Sequence, residues 1–118
     1  MTTLQPVTLI TGASAGIGEA FARVFAAHGH QTLLVARRLE RLESVADGIA
    51  ATGAPRPMVA AIDLAAPGGT DALARTLSAR GLEPAIVVNN AGFGLPCVEE
   101  AELSANGGLF LLLISTKR

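Results

Sequence analysis

The sequence predicts an α/β fold, a parallel sheet with helices on both faces, on three observations. Residues 6–88 alternate short β-branched or leucine-rich runs with longer stretches of helical period, which is the pattern of βαβ units. The short runs are nearly continuous in apolar residues, as strands covered on both faces are. A glycine-rich turn, Thr11-Gly12-Ala13-Ser14-Ala15-Gly16-Ile17-Gly18, joins the first run to the first helical stretch.

Four strands are readable, at residues 7–11, 32–36, 58–62 and 85–88. The first helix should start near Gly16, carry Ala20, Phe21, Val24 and Phe25, and end at Gly29, where glycine can take the left-handed conformation. His28 and His30 flank that end; nothing at metal-ligand spacing is near them, so they read as structural or surface residues near a helix C-terminus. Leu39, Leu42, Val45, Ala46 and Ile49 recur at helical spacing and form the buried stripe of a second helix. A third is expected over residues 71–80, with Leu73, Ala74 and Leu77 inward and Gly81 and Pro84 closing it.

The 118 residues suit one small domain or part of a larger one, with enough chain to bury a core without disulfides or metal. Nine Lys plus Arg nearly cancel ten Asp plus Glu, so no basic surface points to nucleic acid. A single cysteine, Cys97, excludes an internal disulfide framework and a cysteine-built zinc site and suits a reducing compartment. The N-terminus lacks the basic start and long apolar stretch of a signal peptide. The longest apolar run, residues 109–114, has six residues where a membrane-spanning helix needs about 20. No membrane partner and a cytoplasmic location are therefore expected.

The glycine-rich turn carries the chemistry. Between a strand and a helix, glycines let the chain turn sharply, let backbone approach a pyrophosphate and let helix pack on strand, while free N–H groups at the helix start receive the anion. Its spacing, Gly-x-x-x-Gly-x-Gly, differs from the commonest dinucleotide fingerprint. Nineteen residues after Gly18, at the end of the second strand, stand Arg37 and Arg38, close to where an acidic residue would bond the ribose of NAD. A guanidinium there can bind a 2′-phosphate bidentately, whereas an acid would repel it. The alternative, two solvated arginines at a helix start, is opposed by the helix dipole. Asp63, ending the third strand, could accept a hydrogen bond from an adenine amino group or cap the following turn.

Thr-Gly-Ala-Ser-Ala-Gly-Ile-Gly at 11–18, Ala-Arg-Arg at 36–38, Asp63-Leu64 and Asn89-Asn90-Ala91-Gly92 together resemble the short-chain dehydrogenase/reductase family. Order, spacing and strand context agree over residues 7–95. The resemblance implies a Rossmann-like, doubly wound parallel sheet and an oxidoreductase of alcohols and carbonyls that uses NAD or NADP. Carried over by position, Gly12, Gly16, Ile17 and Gly18 would cradle the pyrophosphate. Ser14 and Arg37, beside Arg38, would meet the adenosine ribose and its 2′-phosphate, and Asp63 with Leu64 would face the adenine. Asn90, Ala91 and Gly92 would line the nucleoside side. Arg37 favours NADP over NAD, although Ala15 stands where NADP-preferring members often carry a basic residue.

In the family a Tyr acts as general acid, helped by a Lys four residues later, with a Ser and an Asn in support. The sequence contains no tyrosine, and Lys117 is its only lysine. A positioned acid or base contributes about 10²- to 10⁴-fold, so catalytic residues are assigned to none of these positions. Ser115 and Asn106 read as ordinary chain. Residues 1–95 are thus expected to form the NAD(P)-binding region and residues 96–118 a divergent tail.

Two readings of the tail stay open. In one, residues 98–105 form a short crossover helix and residues 109–114 a fifth parallel strand beside residues 85–88. In the other the tail is foreign to the fold, as after a frame change or truncation. A sheet built only to its fourth strand would leave that strand at an edge, open to homo- or hetero-oligomers. The expected function is the cofactor half of an oxidoreductase, not competent to turn over substrate as this chain alone. The alternatives are a non-catalytic nucleotide-binding or regulatory module that needs a partner chain, and a non-functional truncated gene product.

Overall fold

A computed structural model describes residues 4–14, 16–89 and 110–113. Its elements run β1 (Gln5–Thr11), α1 (Gly16–Ala27), β2 (Thr32–Ala36), α2 (Leu39–Ala50), β3 (Met58–Ala61), α3 (Gly69–Ala79), β4 (Leu82–Asn89) and β5 (Phe110–Leu113). The strands form one sheet in the order β3-β2-β1-β4-β5, and every pairing is parallel. The Rossmann-like α/β fold read from the sequence is the fold observed.

Alternation along each strand divides the core into two layers, because successive side chains point to opposite faces. Ile10, Leu34 and Val88 meet Ala22 and Ala26 of α1 and Leu42, Val45 and Ile49 of α2 on one face. Leu9, Leu33, Val35 and Val87 face the other way, where Leu73 and Leu77 of α3 pack against them. Thus strands that read as unbroken apolar runs are covered on both sides.

The fifth strand stands beside β4, with Ile86 opposite Phe110 and Asn89 opposite Leu113. The sheet therefore does not stop at β4; among the described residues its two outer strands are β3 and β5. The crossover helix expected at residues 98–105 lies outside the described residues.

Among the boundaries that differ from expectation, two do so for identifiable reasons. β4 begins at Leu82, three residues early, and runs through Pro84. Proline cannot donate to a ladder, and the β1–β4 register shifts there: Val7 faces Pro84 but Thr8 faces Ile86, so Ala85 is the extra residue of a bulge that accommodates the proline. α3 begins at Gly69, two residues early, after Gly68 at φ 79°. A Cβ on Gly69 would land on the Asp63 carbonyl oxygen, so glycine is required there for close approach rather than as a breaker.

The histidines make local packing and hydrogen-bond contacts. His28 Nδ1 donates to the Val24 carbonyl at 2.9 Å. His30 lies edge-on to Phe25 and 3.3 Å from the Thr8 hydroxyl. Gly29, between them, has φ 84° and closes α1. Among the described residues no helix is long and apolar enough to cross a membrane, and no group of His, Cys, Asp and Glu could hold a metal.

The Thr32 hydroxyl is buried on β2 with no hydrogen-bond partner among the described residues. An unmatched buried hydroxyl costs about 1–3 kcal/mol. Thr32→Val keeps the β-branched shape and removes it, so the urea midpoint should rise by about 1 kcal/mol equivalent with an unchanged slope. A lower midpoint would mean that the hydroxyl is satisfied.

Candidate functional site

The chain runs out from β1 to β2 to β3 and returns on the far side of β1 as β4. In open α/β sheets ligands bind beyond the carboxyl ends of the strands near such a reversal. A cavity of about 360 Å³ lies there, lined by Gly12, Ser14, Val35, Ala36, Arg37, Arg38, Arg41, Ile62, Asp63 and Leu64. The volume lies within the usual range for small-molecule sites. Each lining residue sits at or just past a strand end except Arg41, which is in the first turn of α2.

The floor comes from the turn after β1. Gly12 and Gly16 have φ 65° and 62°, a left-handed conformation that a side chain would strain. Gly18 serves differently: a Cβ there would land on the Gly12 carbonyl oxygen, so α1 seats directly on the turn it leaves. The turn is tied to its neighbours by the Ala13 N–H, which donates to the Val35 carbonyl at 3.3 Å, and by the Thr11 hydroxyl, which donates to the Val88 carbonyl at 3.5 Å.

The wall comes from β2 and β3. The Ile62 N–H donates to the Ala36 carbonyl at 2.8 Å, so the two strand ends are held together where Arg37 and Asp63 emerge. Arg38 is the N-cap of α2 with extended backbone and supplies no side-chain cap. The turn contact read for Asp63 is present: one carboxylate oxygen accepts the Ala65 N–H at 3.0 Å. Its carbonyl accepts the Ala66 N–H at 3.1 Å, so residues 63–66 fold tightly and Leu64 turns back toward the core.

The structure thus brings six of the sequence-predicted positions, Gly12, Ser14, Arg37, Arg38, Asp63 and Leu64, to one cavity. Gly16, Ile17 and Gly18 stand at the adjoining helix start, Ile17 with its side chain 46% exposed. Asn90, Ala91 and Gly92 lie outside the described residues. Arg41 was not singled out as a site residue. Its signal was its place one helical turn after Arg38, but inside the periodic stretch of α2 it reads as part of a solvated face.

The short chain dehydrogenase family model matches residues 6–106. The chain belongs to the short-chain dehydrogenase family. Relatives of this short-chain dehydrogenase chain include a very-long-chain 3-oxoacyl-CoA reductase-like protein of Arabidopsis thaliana, 39% identical over 90 residues, 75% of this chain and 28% of the relative. Another is an NADP-dependent 3-hydroxy acid dehydrogenase of Salmonella typhi, 33% identical over 89 residues, 75% of this chain and 34% of the relative. Among solved structures, a metagenomic short-chain oxidoreductase in complex with NADP superimposes with a TM-score of 0.67 at 35% identity. That match covers 79% of this chain and 41% of the other. The chain spans about a third or less of the length of these curated relatives.

Proposed function

We propose that this chain is the cofactor-binding portion of a short-chain dehydrogenase-type oxidoreductase of alcohols and carbonyls, that it takes NADP in preference to NAD, and that these 118 residues alone do not turn over substrate. The observation that carries the reading is the convergence of Gly12, Ser14, Arg37 and Asp63 on one cavity at the carboxyl ends of β1, β2 and β3. The donor set suits a 2′-phosphorylated adenosine. Three guanidiniums border the cavity against one carboxylate among the described lining residues, Asp63, one oxygen of which accepts a hydrogen bond from its own turn.

The glycine turn suits the pyrophosphate, since α1 starts there, the first N–H groups of a helix have no intrahelical partner, and Gly18 permits the close seat. NADP proteins stand among its relatives and structural neighbours, and this supports the preference. A nicotinamide cofactor supplies redox equivalents when bound; residues 1–95 bind and orient it. Substrate protonation is a separate task, and a chain with no tyrosine lacks the phenol that the family uses for it. We assign residues 96–118 no catalytic role, and a cytoplasmic setting suits the single cysteine. Strand addition by a partner chain would take place at β3 or β5.

Thermal melts with NADPH and NADH test the binding, and an assay with a panel of aldehydes and ketones tests the lack of turnover. Saturation a hundredfold above the dissociation constant stabilises a selective binder by about 2.7 kcal/mol. A larger rise with NADPH than with NADH and no turnover are expected. A melt that neither nucleotide moves sinks the binding claim, and robust turnover sinks the inactivity claim.

A further inference from the structure

We propose that Arg41 is a specificity-determining residue of this cavity, which grips a 2′-phosphorylated adenosine from the first turn of α2 while Arg37 grips it from the end of β2. The proposal rests on the NADP reading above and adds a residue outside the motifs that led to it.

Arg37, Arg38 and Arg41 all border the cavity. None of the three has an ion pair or side-chain hydrogen bond among the described residues. The arginines that do pair with carboxylates, Arg23 with Glu19 and Arg56 with Asp47, lie elsewhere. Helix geometry explains why Arg41 is unpaired. Its neighbours one turn on are Ser44 and Val45, while Glu40 and Glu43, one and two residues away, project in other directions. Asp63, across the cavity, gives an oxygen to the Ala65 N–H.

The roll of α2 is set by its buried face. Leu42, Val45, Ala46 and Ile49 are all buried against the sheet. Arg41 precedes Val45 by one turn and so stands on the flank of the helix nearest the sheet, where its guanidinium reaches the rim formed by the strand ends. The helix adds to the local positive field: Arg38, its N-cap, offers no side-chain acceptor, and cations near a helix N-terminus are disfavoured unless an anion joins them. Three guanidiniums at the positive end of a helix face the single carboxylate of Asp63 among the described lining residues, and the net positive charge that remains suits a phosphate dianion. Arg41 is the one carried by a packed helix rather than by a strand end, so its backbone is fixed before the ligand arrives.

Equilibrium titrations of the full chain with NADPH, NADH and adenosine 2′,5′-bisphosphate test this. Arg41→Gln should weaken NADPH and the bisphosphate by about tenfold or more, the value of a lost charge-assisted hydrogen bond, and leave NADH within twofold. Arg41→Lys should recover part of the loss, since it keeps the charge but not the fork. Arg75→Gln, exposed on α3 and away from the cavity, should change nothing, and circular dichroism should be the same for all. If wild type prefers NADPH and Arg41→Gln leaves that affinity within twofold, the role of Arg41 is overturned and the NADP reading stands. Equal weakening of NADPH and NADH likewise overturns it, as a merely structural effect. A wild type with no preference for NADPH overturns both.

Discussion

Replacing Arg37 with Asp should lower the affinity for NADPH by about 10²- to 10³-fold while leaving that for NADH within a few-fold. Two effects add. The substitution removes a charge-assisted hydrogen bond to the phosphate, worth about 1.5–3 kcal/mol. It also sets a carboxylate against a dianion at a partly screened surface, where close like charges cost a few kcal/mol. For NADH the same carboxylate is an acceptor for the ribose hydroxyls, the arrangement that an acidic residue at this point of a dinucleotide fold provides. Arg37 is exposed and its side chain has no partner among the described residues, so the fold should change by no more than about 0.5 kcal/mol. Fluorescence titration at fixed salt measures both affinities. Equal losses for the two cofactors would refute the assigned role.

The strands were legible because they are covered twice. Ile10 faces α1 and α2 while Leu9 faces the α3 side, and this double burial writes an unbroken apolar run into the sequence. The boundaries were less legible where a local rule gives way to tertiary context. Pro84 reads as loop, yet it sits inside β4 because a bulge absorbs the missing donor. Gly69 reads as a breaker, yet it opens a helix because α3 must pass close over the Asp63 carbonyl. Neither contact is local in sequence, so neither leaves a trace in propensity.

The candidate site divides in the same way. Gly12, Ser14, Arg37 and Asp63 announce themselves because each stands within three residues of a strand's end, and the ends of parallel strands converge in the fold. Val35, Ala36 and Ile62 also line the cavity but read only as strand, since an apolar residue near the end of a strand looks like one in the middle. Arg41 is hidden for the opposite reason. A charged residue beside a buried helical stripe usually faces solvent, and only the seating of α2 on the sheet shows which flank of the stripe overlooks the cavity.

Gly18→Ala should cost about 2–3 kcal/mol of stability and weaken binding of either dinucleotide, and should do more harm than Gly16→Ala. The two glycines are required for different reasons. At Gly16 nothing stands within 4 Å of an added Cβ, so alanine meets only the strain of φ 62°, about 1–2 kcal/mol. At Gly18 the added methyl meets backbone on two sides, the Gly12 carbonyl and the Ala13 Cα. Neither can rotate away, so α1 must lift. Lifting it separates Ala22 and Ala26, both buried, from the sheet, because Gly18, Ala22 and Ala26 recur every four residues and form the one face by which α1 seats. Overpacking of this kind costs about 1–3 kcal/mol, a large share of the stability of a small domain. The lifted helix also carries its N-terminal N–H groups away from where a pyrophosphate would lie, so NADPH and NADH lose together, unlike the selective loss at Arg37. Thermal melts and titrations of the two variants separate these causes. A Gly18→Ala protein as stable as Gly16→Ala would mean that α1 does not rest on the turn.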